Sequence, residues 1–300
     1  MTWDYRHVRV TQQVSIVVGS STNLFDTMRI EYTLENQDSV SHDVGLRIML
    51  DTLIGDNDGV PFSVPGRPGI TNRAVDLRGR DVPNFFQVLE KPDLANPGVI
   101  VNLTMSGGGA TPPERVVITA WPGSGGDWEF LGSLGASWGP DSAVGLYYPT
   151  QSMRPGERRQ IVAFYGLGAI SSVVNKNPNL GLSISSTRID QGSSFYVMAT
   201  INNPQNGQRI RLQLPPELVL AEGDLSQAIA PEASANFTTR SWLVRAITPT
   251  SGAEISIVLE PQNLNERQTV TIVRLPTPAP TETLMPTTTP TPTSSGGLTR

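Results

Sequence analysis

The sequence contains no cysteine. Disulfides, thiolate nucleophiles and zinc–thiolate sites are therefore excluded, while the compartment stays open. Histidine is nearly missing as well. His7 and His42 stand alone, so no paired-histidine metal site can be assembled from them. No Gly-x-Ser-x-Gly occurs, which removes the usual sign of a Ser-His-Asp hydrolase. No apolar run reaches the ~18 residues that cross a bilayer as a helix. There is no basic block, and the net charge of −5 argues against nucleic acid as a partner. Long stretches of helical 3.6 periodicity are absent too. Met1 to Ser20 hold no signal-peptide apolar core and read as a strand already under way, so an export signal is expected to be missing from this sequence.

What the chain does have is short alternating runs punctuated by 28 glycines and 25 prolines. That pattern predicts strands and turns. Phe25 to Phe62 organises the rest. Met28, Ile30, Tyr32 and Leu34 alternate with Arg29, Glu31, Thr33 and Glu35, the period of a strand with one buried face. Val44, Leu46, Ile48 and Leu50 repeat it after the turn-rich 36–43 segment, so the two runs are expected to pair as an antiparallel hairpin. Residues 63–98 read as a long excursion with a short apolar anchor at Phe85–Leu89, and 99–105 with 116–121 as a further hairpin.

The expected fold class is all-β: a large antiparallel β-sandwich over 1–174, an Ig-like β-sandwich over 178–275, and a disordered Pro/Thr-rich linker over 276–300. In the second unit six candidate strands recur at short spacing, with Trp242 expected in the core beside Leu182, Ile184, Val197, Ile210 and Ile257. The tail, with runs such as Pro286-Thr287-Thr288-Thr289-Pro290, has too little apolar content to bury a core.

Three blocks carry a resemblance. They are Arg29 through Gly45–Asp51 to Ile54–Phe62, then Asp141-Ser142-Ala143-Val144, then Pro155-Gly156-Glu157 with Tyr165–Gly168. Together they resemble a group of exported bacterial β-sandwich proteins without an assigned activity, over residues 10–170. The resemblance implies an extracellular or cell-envelope setting and supplies no site residues. The long strands are also similar in style to the galactose-mutarotase-like supersandwich.

Chemistry-bearing residues are few. Asp51, Asp56 and Asp58 flank a Gly59 turn. Setting Gly59 at the glycine position of an EF-hand loop puts Ile54 and Pro65 where the end ligands belong, so this is not an EF-hand. Two readings remain: a looser oxygen cage for Ca²⁺, or an Asx-type turn with no cofactor at all. Glu31 and Glu35 opposite Arg47 and Asp51 fit either a carboxylate pair or, more commonly, a solvated sheet face. Trp128 and Trp138, with Trp121, Tyr147 and Tyr148, are candidates for an aromatic sugar-stacking surface, against an ordinary packing role. The function these observations lead us to expect is a non-catalytic display or adhesion protein that binds a glycan or another envelope protein through loops 51–98. The alternative is a carbohydrate-binding or carbohydrate-active protein on a supersandwich scaffold.

Overall fold

The computed structural model describes residues 1–94, 96–121, 128–130, 132–175, 177, 179–231 and 236–274. The tail expected to be disordered, 276–300, lies outside the described residues. In chain order the strands of the first half are β1 (Thr2–Tyr5), β2 (Val8–Val18), β3 (Phe25–Asn36), β4 (His42–Asp51), β5 (Phe62–Ser63) and β6 (Val75–Arg78). They continue with β7 (Phe85–Leu89), β8 (Ile100–Thr104), β9 (Arg115–Ala120), β10 (Ser142–Met153) and β11 (Arg158–Leu167). Among the described residues they form a 7-stranded sheet, β1-β2-β3-β11-β8-β7-β5, facing a 4-stranded one, β4-β10-β9-β6. Leu34, Ile48, Phe62, Leu103, Ile118, Leu146 and Ile161 meet between them. The wider sheet overhangs the narrower: Val14 and Ile16 of β2 stay 51% and 57% exposed.

The expected β3–β4 hairpin does not form. β3 pairs with β2 and β11, and β4 pairs with β10 in the opposite sheet. Alternation fixes which face of a strand is buried, not which strand lies beside it. Here the two apolar faces meet across the core instead of side by side. Asn36, fully buried at the crossing, holds the turn: its Nδ2 donates to the carbonyls of Val40 (2.8 Å) and Met153 (2.9 Å), and its Oδ1 accepts from the Asp38 N–H at 2.9 Å. The other expected hairpin fails likewise, since β8 and β9 belong to opposite sheets. Glu35 accordingly pairs with Arg158 on β11 at 3.0 Å, and Glu31 with Gln160, not with Arg47 or Asp51.

A five-residue helix, α1 (Ser171–Asn175), leads to the second sandwich. Asn175 and Asn177 donate to the two carboxylate oxygens of Glu266, at 2.6 and 2.8 Å, and so satisfy an acid that is only 2% exposed. The strands there are β12 (Leu180–Ile184), β13 (Arg188–Asp190), β14 (Ser194–Asn202), β15 (Arg209–Gln213) and β16 (Leu218–Glu222). After them come β17 (Ser226–Ala228), β18 (Phe237–Ala246), β19 (Thr250–Glu260) and β20 (Leu264–Val273). A 4-stranded sheet, β12-β14-β18-β16, packs on a 5-stranded one, β13-β20-β19-β15-β17. Trp242 lies in this core with Leu182, Ile184, Val197, Ile210 and Ile257, and its indole N–H donates to the Asp224 carbonyl at 2.9 Å. The short β13, β16 and β17 were not expected from the sequence; β13 runs parallel to β20.

The two sandwiches share a buried face. Phe86 and Val88 of β7 point into the first core, yet all five residues of β7 are buried. The other three meet neighbours on the far side. Phe85 lies 6.4 Å from the Tyr196 ring, Gln87 Oε1 accepts from the Ser183 hydroxyl at 3.3 Å, and Leu89 packs with Leu94, Ile100 and Ile170. β12, β14 and β18 answer in kind, with Ser183, Met198, Thr200 and Thr239 each at most 2% exposed. Strands covered on both faces lose the alternation that marks half-buried ones. The 62–69 segment, expected to be part of a display loop, is instead a bracket. The Ser63 hydroxyl donates to the Met198 sulfur at 3.2 Å, the Gly66 N–H to the Ser241 hydroxyl at 2.7 Å, and the Thr239 hydroxyl to the Arg67 carbonyl at 3.1 Å.

Candidate functional site

Among the described residues, three places concentrate polar chemistry. The first is at the end of β4. The Ile54–Asn57 backbone pair (2.9 and 3.0 Å) closes a tight turn, and the Asn57 amide donates to the Glu90 carbonyl at 2.7 Å. The Asp58 carbonyl accepts from both the N–H (2.8 Å) and the hydroxyl (2.9 Å) of Ser142, which draws this turn against the start of β10. One carboxylate oxygen each from Asp51, Asp58 and Asp141 then lie within 4.8 Å of one another. Burial, followed by the charges of Asp58 and Asp51, raises the Asp141 carboxyl above its ordinary value. Asp56 is exposed and belongs to no such group among the described residues. Of the three candidate carboxylates the fold thus brings Asp51 and Asp58 together, joined by Asp141, and leaves Asp56 apart; oxygen ligands so grouped are the kind a hard cation takes.

The aromatic candidates separate. Trp138 is not a surface residue: it is 5% exposed and packs edge-on against Phe62, ring centroids 5.5 Å apart. Tyr147 and Tyr148 are buried as well. Trp128 is 47% exposed and stands at 90° to the Tyr147 ring, 6.0 Å away. Tyr147 in turn carries the guanidinium groups of Arg115 at 4.6 Å and Arg47 at 5.4 Å. Arg115 bridges Asp76 (2.8 Å) and Glu129 (2.9 Å). Burial alone would raise the Asp76 carboxyl; hydrogen bonds from Arg115 and Arg78 more than reverse this, so it sits below its ordinary value. This is a tied-down array, in which Trp128 is the half-exposed member.

The third place was not visible in the sequence. Where the outer face of β8 and β11 meets the turn region around β13 and the start of β14, a cavity of about 170 Å³ opens between the sandwiches. Thr27, Asn102 and Phe164 line it from the first sandwich, and Ser185, Asp190 and Ser194 from the second. Its lining residues Asn102 and Ser21 end a chain of neutral side chains that runs on into the junction. The Ser183 hydroxyl donates to Gln87, Gln87 Nε2 to Asn102 Oδ1 (3.1 Å), Asn102 Nδ2 to the Ser21 hydroxyl (3.2 Å), and Ser21 to the Leu167 carbonyl (3.3 Å). Gly166 is required beside it, because a Cβ there would fall 2.1 Å from the Thr27 hydroxyl. Nothing in the sequence groups these residues; the Ser20–Ser185 bond, for one, joins positions 165 apart in the chain. Asp141, by contrast, stood in one of the blocks that carried the family resemblance.

No protein-family model and no curated protein sequence matches the chain. Among solved structures it is similar to a polysaccharide lyase at 9% identity and a TM-score of 0.31, over 92% of this chain and 35% of that one. The chain spans about a third of the lyase's length. A likeness this loose brings no residue, substrate or reaction with it. Among the described residues no helix is long and apolar enough to cross a membrane.

Proposed function

We propose that the protein is a non-catalytic binding and display module of the bacterial cell exterior, which holds its ligand in the cleft between the two sandwiches. The observation that carries this reading is the cleft itself: a cavity of about 170 Å³ at the junction of two packed bodies, lined by hydroxyl, amide and aromatic side chains. Ligand sites favour such junctions. Acid–base turnover needs titratable groups facing one another across the ligand, and hydrolysis of a glycoside calls for two carboxylates. The lining offers one carboxylate, Asp190, and one guanidinium, Arg188. Binding without turnover fits that inventory. The Pro/Thr-rich composition of 276–293 supports an exported setting, where an extended spacer would carry the sandwiches away from an anchor. The test is to display the full chain on a surface, probe it with arrays of bacterial and host glycans, and follow the same glycans by NMR for new reducing ends or unsaturated products. Retention of an intact glycan is expected. Product formation would sink the non-catalytic reading.

A further inference from the structure

We infer that the cleft takes a single neutral pyranose ring, at the end of a glycan or free, and this rests on the binding reading given above. Size comes first. A cavity of about 150 Å³ holds one benzene ring, so about 170 Å³ admits one six-membered ring and not two. Arg188 and Asp190 on the rim are exposed, so the cavity opens to solvent there and a glycan chain can continue outward.

Chemistry narrows the class further. The lining hydroxyls and amides divide into two sets. Ser20, Ser21, Asn102 and Ser185 are committed to bonds that hold the walls. Asn84, Thr104 and Ser106 on one wall and Ser194 on the other have side chains with no intramolecular hydrogen bond among the described residues. Hydroxyl and carboxamide groups both donate and accept, which is the bifunctional character of a sugar hydroxyl. A carboxylate or phosphate would call for donors in excess and a net positive wall; an amine would call for carboxylates. The lining instead has one charge of each sign, both on the rim. Phe164, half-buried, adds an apolar face for the C–H side of a ring. Gly107 and Gly108 form part of the lip without side chains, and a Cβ at either would meet nothing within 4 Å. A ring can therefore enter past bare backbone.

The test uses the full chain, isotope-labelled, titrated with the methyl hexosides of glucose, galactose and mannose, and then with glucuronate, glucosamine, a 1,4-linked disaccharide and a neutral dipeptide. Amide shifts at Thr104, Ser106 and Ser194 are the readout. A neutral hexoside is expected to move them with a millimolar Kd, the range open to a ligand of about a dozen heavy atoms. The disaccharide should bind no more than about twofold tighter, since its second ring finds no wall. Thr104→Val and Ser194→Ala should each weaken binding about five- to tenfold, one lost hydrogen bond apiece. The melting temperature should be unchanged, because neither hydroxyl has an internal partner. Shifts at these amides from glucuronate, glucosamine or the dipeptide alone would overturn the neutral-sugar class and leave the cleft as the binding site. Sugar-induced shifts confined to residues elsewhere would overturn the cleft itself. No shift from any of these ligands would overturn both.

Discussion

Gln87 and Asn102 lie side by side on β7 and β8 and join their amides at 3.1 Å, with both side chains at most 5% exposed. Through Ser183 on one side and Ser21 on the other, this pair threads a continuous row of neutral hydrogen bonds through the junction. Buried amides of this kind cost little when every group is satisfied and a good deal when one is left alone. Gln87→Leu is therefore expected to lower stability by about 1–3 kcal/mol, because Asn102 and Ser183 each lose a partner. Asn102→Leu should do the same. The double variant should cost less than the sum of the two, since the orphaned neighbours are shared. Urea unfolding of all three variants checks this, and strict additivity would show that the thread is not a unit.

The second sandwich has its own core around Trp242, but one sheet of it is buried against the first. A chain of residues 178–274 alone is expected to unfold cooperatively and at a lower temperature than the same strands in the full protein. Met198 and Thr200 would become exposed, and the contacts of Phe85 and Gln87 would be gone. Hydrogen exchange at β14 and β18 in both proteins measures the difference. Equal protection in the two would mean that the shared face contributes nothing.

Arg115 holds Asp76, Glu129 and the Tyr147 ring at once while only 8% exposed. Arg115→Ala is expected to cost about 2–3 kcal/mol at neutral pH, because Asp76 keeps only exposed Arg78. Arg115→Lys should recover only part of this, as an ammonium cannot reproduce the forked bonds to both Asp76 oxygens. The sign with pH follows from the lowered Asp76 carboxyl. Its contribution is present above the unfolded-state value of about 3.9 and lost as pH falls through the lower folded value. The wild-type advantage over Arg115→Ala should thus shrink in acid, a trend that unfolding midpoints at a series of pH values will show.

Asp141 behaves in the opposite sense. Its carboxyl is raised in the folded state, so the folded protein is relatively favoured below the unfolded value of about 3.9, and that benefit is lost as pH rises through the folded value. In chelator, Asp141→Asn is expected to melt above wild type at neutral pH, with the gap closing as pH falls towards about 4. Asp56→Asn, outside the carboxylate group, should change nothing. Adding millimolar Ca²⁺ to the same samples reads the cage directly. A rise in wild-type melting temperature that Asp141→Asn abolishes and Asp56→Asn preserves assigns the ion to Asp51, Asp58 and Asp141.

Strand content was legible in the sequence wherever one face of a strand meets water. β3 and β4 stand where alternation placed them, and the long strands of the second sandwich fall on the expected segments, with β18 and β20 beginning earlier, at Phe237 and Leu264. Pairing was not legible, because a period of two says nothing about the neighbour, and both expected hairpins of the first sandwich span opposite sheets. β7 read as a mere anchor because burial on both faces erases the alternation. The acidic group was half legible: Asp51 and Asp58 share a turn, whereas Asp141 arrives through the Ser142 bonds to the Asp58 carbonyl. Trp128 and Trp138 looked alike in sequence; the fold buries Trp138 against Phe62 and leaves Trp128 half exposed beside Tyr147. The cleft residues gave no signal, since isolated serines and threonines are common in any β-protein.

The two-faced β7 also has a consequence in time. Translation delivers Phe85, Gln87 and Leu89 long before β14 and β18, which cover this side, so the nascent first sandwich presents an unclosed face while roughly 150 further residues are made. At typical synthesis rates that interval is on the order of ten seconds. Neighbouring chains on one polysome would hold the same sticky strand in the open, and crowded expression should therefore lose this protein to aggregates formed before synthesis ends rather than to unfolding afterwards.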